Sequence, residues 1–399
     1  MATILEAQPG ARPGEDAAER REAGTWIVNV LLFCSTCIIV GLLWDISWHM
    51  SIGRDRLWSP PHVLEQIGAS LAGLACGWLV LRTTFAGSTA ERGRTVRFWG
   101  FRGPLGGWVA IWGSFAMIFS VPFDDWWHNA YGLDVQILSP PHVVLLCGMI
   151  AIQLGAMLLA LGVQNRATGQ DQRRFALAVA YAAGALIAMV VTASSEYTLL
   201  PNLWHSSLMV IVAAATLPLF LVPIARAGRL RWPATTTAAL FMAVFLIPQW
   251  VLVQFPATPR LNPIVNPLTH MAAFGFPLVL IVPALAMDLV MRRGSKLGDW
   301  KLAGVIGVLF VATLVAVHWP LANFLVGSPL AQNEFFLADH WPYATSVATV
   351  RGAWFNLDGA RGVWSFTEYL AGLGIAVLLG ILATRVGLAW GSWMQRVKR

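Results

Sequence analysis

Two stretches of this sequence set an acid, a histidine one helical turn later, and a second histidine directly after Ser-Pro-Pro. The first is WDISWHMSIGRDRLWSPPHVL, residues 44–64, and the second is FDDWWHNAYGLDVQILSPPHVV, residues 123–144. Asp45 and His49 are four apart, so a helix puts them on one face. Ser59 suits a helix N-cap and Pro60 the first helical position. His62 then falls in the first turn, where the exposed amide dipoles oppose a positive charge. A neutral imidazole with a lone pair is the species a metal needs. With the intervening loop folded back, Asp45, His49 and His62 form a set of two imidazoles and a carboxylate. Such a set ligates copper, zinc or non-haem iron and leaves room for water or substrate. Asp124, His128 and His142 repeat it. Trp48 matches Trp127, Gly53 matches Gly132 and Asp55 matches Asp134. The run from Ser59 to Val63 matches Ser139 to Val143 after one inserted residue. Taken singly, an Asp–His pair near a membrane surface is more often a structural ion pair, and His and Trp collect at interfaces for their amphipathic rings. Repetition of the whole set favours metal binding, and ionisable groups close to a bilayer are functional candidates.

The Asp-x3-His-x12-His segment has Trp before its first His, Arg54-Asp55 in the middle and Pro before its last His. It resembles the copper-site segment of the C subunit of particulate methane and ammonia monooxygenases. The resemblance covers about 20 residues of 399. It implies an intramembrane copper site of Asp45, His49 and His62, a helical membrane architecture, and oxidation of small apolar molecules with dioxygen alongside other membrane subunits. The second copy departs from the pattern, with one extra residue before His142 and Leu133 in place of the Arg. The chain also reads as having more spans than that subunit.

The elements that must position these residues are membrane helices. The chain is 57% hydrophobic and only 12% charged, about half the charge of a typical soluble domain. Several apolar runs exceed the roughly 20 residues a helix needs to cross a bilayer, and spanning backbone must satisfy its own hydrogen bonds. The expected fold is all-α, with about ten spans near 25–48, 62–84, 98–121, 142–164, 174–194, 204–225, 234–254, 268–291, 301–323 and 366–390. The first two hairpins are a duplicated unit. Residues 1–24 read as a polar tail without a cleavable signal pattern, and 25–165 as the hairpin pair carrying both sites. Residues 166–323 hold further spans, 324–365 an outer-face loop that caps the bundle, and 366–399 the last span with a basic tail.

The net charge of +7 comes from basic residues after even-numbered spans, such as Arg82, Arg92, Arg94 and Arg97. The positive-inside rule puts these and both termini in the cytoplasm, and all eight His at or near the outer face. The basic balance therefore points to the lipid bilayer as partner, not to nucleic acid. Cys34-x-x-Cys37 has redox or soft-metal spacing, but buried membrane cysteines mostly serve as small hydrophobes. Glu196, His205, His270 and the Asp339-His340 pair are further outward groups, and His318 lies within a span, where hydrogen-bonded packing is expected.

No phosphate-cradling glycine loop, His-Glu-x-x-His motif or nucleophile elbow occurs. Four functions remain. The first is a copper membrane oxidase of the monooxygenase type, with zinc or iron as other metals. The second is metal transport or delivery, with Cys34, Cys37 and Cys76 as stepping stones. The third is haem handling at Trp-rich outer segments such as DDWWHNAY. The fourth is a non-catalytic subunit.

Overall fold

The computed structural model describes residues 13–53, 57–132, 139–195, 201, 204–258, 269–294, 296–337 and 366–398. It is an all-α protein, and among the described residues nine helices are long and apolar enough to cross a membrane. The chain is a multi-pass membrane protein.

Helices α1 (Pro13–Ser51) and α2 (Pro60–Phe85) form the first hairpin, and α4 (Leu105–Tyr131) and α5 (Pro140–Gln164) the second. Between them lie a short helix, α3 (Thr89–Gly93), and a two-stranded antiparallel ribbon, β1 (Val96–Phe98) and β2 (Phe101–Gly103). This ribbon occupies residues expected to open the third span, so α4 starts seven residues later than the sequence suggested. Trp99 and Gly100 have positive φ, +48° and +88°, the turn geometry that joins two strands through two residues.

The second hairpin is held by glycines. A Cβ on Gly113 would lie 2.7 Å from the Gly148 carbonyl oxygen, and one on Gly155 would lie 2.7 Å from that of Gly106. The two backbones therefore touch, the close approach that small residues permit between membrane helices. α5 passes the chain to α6 (Gly169–Ser194), the most enclosed of the nine, which also packs on α1 and α9 (Pro233–Leu252). Helices α7 (Ser207–Thr216) and α8 (Pro218–Ala227) make one span broken at Pro218. With α11 (Asp299–Gly327) they pack on the last helix, α12 (Phe366–Met394).

The expected span 268–291 is not one helix. Residues 271–280 are non-helical and mostly buried, and α10 begins only at Ile281 and ends at Arg293. Pro277 lacks an N–H, and Gly275 sits at φ +130°, which interrupts a helix. Buried side chains replace the lost backbone bonds. The Ala272 N–H donates to Ser51 Oγ at 2.6 Å. The Phe274 and Gly275 N–H groups donate to Gln249 Oε1 at 2.8 and 3.2 Å. The Val279 N–H donates to His318 Nε2 at 2.9 Å. Irregular backbone at this depth is tolerated only where protein satisfies it.

Candidate metal centre

α1 ends at Ser51 and α2 begins at Pro60, so Asp45 and His49 occupy the last turns of one helix and His62 the first turn of the next. Asp124, His128 and His142 stand the same way on α4 and α5. Both preceding helices are followed by a glycine of positive φ, Gly53 at +102° and Gly132 at +85°. These are the matched glycines of the two segments, and a positive φ there, which glycine adopts without strain, turns the chain off the helix end.

Ser59 and Ser139 do take the N-cap position, with extended backbone, but neither hydroxyl makes a cap hydrogen bond. The proline at the second helical position, Pro61 or Pro141, removes one of the two N–H groups that a cap would bind. Both hydroxyl oxygens are buried and have no hydrogen-bond partner among the described residues.

The two sets close in a similar manner. His49 Nε2 lies 3.6 Å from Asp45 Oδ2, and His62 Nε2 lies 3.3 Å from Asp45 Oδ1. His128 Nε2 lies 3.3 Å from Asp124 Oδ2, and His142 Nε2 lies 3.5 Å from Asp124 Oδ1. In the second set, one ligand atom from each of the three residues lies within 4.8 Å of the others, and it is the one such group among the described residues. All six side chains are partly exposed.

No family model, curated protein or solved structure matches the chain. The chemistry of the site is therefore read from the donor set itself.

The second set fits a metal ion. Two ligands bonded tetrahedrally to one ion at about 2.1 Å stand roughly 3.4 Å apart, and its Asp–His distances are 3.3 and 3.5 Å. The first set has similar distances, 3.6 and 3.3 Å, but its three residues do not converge within the same 4.8 Å. Asp45 Oδ1 and Asp124 Oδ1 are buried and accept no hydrogen bond among the described residues, although a histidine faces each. His128 Nδ1 lies 3.3 Å from the Gly132 carbonyl oxygen. A carbonyl only accepts, so Nδ1 carries the proton, and in the neutral ring the Nε2 lone pair faces the carboxylate. This is how a metal-binding histidine is oriented, its far nitrogen donating to a backbone carbonyl. His49 and His128 also stand in the last turns of their helices, where the dipole favours a cation.

One group near the first set escaped the motif. Glu65, one turn beyond His62, is 3% exposed and packs where a Cβ on Gly41 would otherwise sit. An acid inside an apolar helix was the available signal, and the second copy has Leu145 at that place. Trp48 Nε1 is buried without a hydrogen-bond partner among the described residues.

The other candidates do not join these sets into a larger group. His318 is fully buried packing, with Nδ1 donating to the Leu314 carbonyl at 2.8 Å and its ring edge-on to Trp204. His205 is buried edge-on to Trp319, and His270 pairs with Thr269. Cys34, Cys37 and Cys76 are buried free thiols, and no metal-sized group among the described residues includes them. Arg54, Asp55, Leu133, Asp134, Glu196, Asp339 and His340 lie outside the described residues, as does most of the expected outer cap.

Proposed function

We propose that the chain is a membrane metalloprotein that holds copper at Asp124, His128 and His142 and at Asp45, His49 and His62. The observation that carries this reading is the second set, where one ligand atom from each of the three residues lies within 4.8 Å of the others and His128 Nδ1 faces the Gly132 carbonyl, leaving Nε2 towards the carboxylate. Two nitrogens and one oxygen suit copper, and equally zinc or non-haem iron. The motif's resemblance selects copper.

The sites face outward and both termini lie in the cytoplasm, because basic residues gather at the opposite end of the bundle. Copper would supply redox chemistry with dioxygen. The protein's residues would hold and orient it beside the bilayer, from which a small apolar substrate arrives, with other membrane subunits completing the enzyme. Elemental analysis of the purified protein, beside a His49→Ala/His128→Ala variant, tests the reading. Copper lost in the variant supports it, and zinc lost in the same way moves it to transport or a structural site. Absence of any metal in both proteins after reconstitution ends it.

Metal transfer is the second reading, and the interrupted span at 271–280 favours it, since transporters bind their cargo at such breaks. Metal flux in proteoliposomes, abolished by replacing Cys34, Cys37 and Cys76, would select it over the enzyme.

A further inference from the structure

The ribbon between the two hairpins carries more positive charge than its surroundings balance. Arg97 and Arg102 are direct cross-strand partners. The Arg102 N–H and carbonyl both turn away from β1 to the Thr84 hydroxyl, at 2.8 and 3.3 Å. Arg97 and Arg102 therefore form a non-hydrogen-bonded pair, the arrangement that brings side chains closest. Like charges placed so are destabilising. The acid of this segment, Glu91, is already engaged by Arg82 at 3.6 Å and by the Ser88 N–H. Arg92 Nε is buried with no hydrogen-bond partner among the described residues.

The ribbon is fixed in place. Thr84 ties it to α2, and Trp108 Nε1 donates to the Val96 carbonyl at 3.3 Å and ties it to α4. Its tip is aromatic, with Trp99 80% exposed. Phe98 and Trp99 stack at 4.9 Å and both contact Trp112 at about 6 Å. From Trp112 a column of rings continues along the exposed face of α4 through Phe115 and Phe119. On a membrane-spanning helix that face meets lipid, so the aromatic tip lies against the bilayer with the arginines at its edge.

We propose that this ribbon is a docking site for an anionic phospholipid. Arg97 and Arg102 would share the headgroup phosphate, which removes their mutual repulsion, and Trp99 and Phe98 would flank the upper acyl chains. Trp and Arg are the residues that anchor at this depth, and basic groups beside a membrane attract acidic lipid. The site stands at the end of the bundle opposite the Asp/His sets and does not depend on their metal.

The test is spin-labelled lipid binding to the full chain in phosphatidylcholine vesicles. Labelled phosphatidylglycerol should be immobilised in preference to labelled phosphatidylcholine, and added salt should weaken that preference. Arg97→Gln should reduce the preference roughly fivefold, the effect of taking one basic residue from an anionic surface, and Arg97→Gln/Arg102→Gln should reduce it further. Arg97 is exposed, and its side chain bonds none of the described residues that hold the ribbon, which Thr84 and Trp108 tie down, so the single variant reads binding and not folding. Trp99→Ala should release both lipids more readily. Equal immobilisation of the two lipids by the wild type, or a preference unchanged in Arg97→Gln, overturns the proposal. A preference for inorganic phosphate without lipid does so as well.

Discussion

At the scale of single residues, the second Asp/His set makes the sharpest demands. Asp124 offers one oxygen to His128 and the other to His142. Asp124→Asn keeps the shape and removes the charge, so metal content at this set should fall while helix content by circular dichroism stays constant. His142→Ala should have the same effect and leave the first set loaded, which elemental analysis of the two variants would show as loss of one equivalent. His205 makes a different demand. It sits before α7 with burial pushing its pKa below the ordinary histidine value, against the opposing pull of hydrogen bonds with the Trp319 backbone and the Asn323 side chain. The folded chain thus keeps it neutral where the unfolded chain takes up a proton. Its share of stability is present above the ordinary histidine range, near 6.5, and is lost as pH falls through that range towards the lower folded value. Thermal unfolding in detergent should shift down on acidification, and His205→Gln should flatten that shift.

Much of this detail was legible in the sequence, and its limits are physical. The i, i+4 spacing and the Ser-Pro-Pro helix starts are local, so the approach of His49 and His62 to Asp45, and of His128 and His142 to Asp124, could be read from the sequence. The aim of His128 depends on where the Gly132 carbonyl points, which spacing does not encode. Ser59 and Ser139 suit caps by residue type and do take that position, but the second proline removes one donor and neither hydroxyl bonds the other. Glu65 was overlooked because it belongs to no repeated pattern.

At the scale of elements, α4 and α5 position the second set only while their backbones touch. Gly113→Val would drive a branched side chain into the Gly148 carbonyl and the Ile152 nitrogen, 2.7 and 2.8 Å from its Cβ. Overpacking of this kind costs about 1–3 kcal/mol and often more against backbone. The variant should melt earlier and lose metal from the second set before the first. The broken span offers a second test. Gln249→Leu removes the acceptor for two buried N–H groups, each worth about 1–3 kcal/mol when left unsatisfied. Hydrogen exchange should then rise at Phe274 and Gly275, with α9 itself still protected. Hydropathy described the long helices to within a few residues at most ends. It failed at 271–280 because an apolar run has the same composition whether helical or extended, and the deciding partners, Ser51, Gln249 and His318, are far away in sequence. It also missed the ribbon at 96–103, whose aromatic residues read as the start of a span.

At the scale of the whole molecule, the two Asp/His sets share one end of the bundle because each lies between the helices of a hairpin, and the ribbon and its arginines share the other. A cysteine introduced at Asn129, beside the second set, should react with a membrane-impermeant maleimide on intact cells. One introduced at Ser88, in the turn before α3, should react only after the cells are opened. Reversal of that pattern would place the metal sets inside.

The borrowed hydrogen bonds of residues 271–280 also constrain the order in which the protein is made. Each hairpin closes on neighbours already synthesised and can settle in the bilayer as it emerges. The stretch 271–280 can do so only in part: Ser51 and Gln249 are already made when Ala272, Phe274 and Gly275 need them, but His318, which bonds the Val279 N–H, belongs to a helix that the ribosome has yet to make when residue 280 appears. Until then the Val279 N–H lacks the partner that hydrocarbon demands of it, so the C-terminal end of the stretch settles only after that later helix has been made.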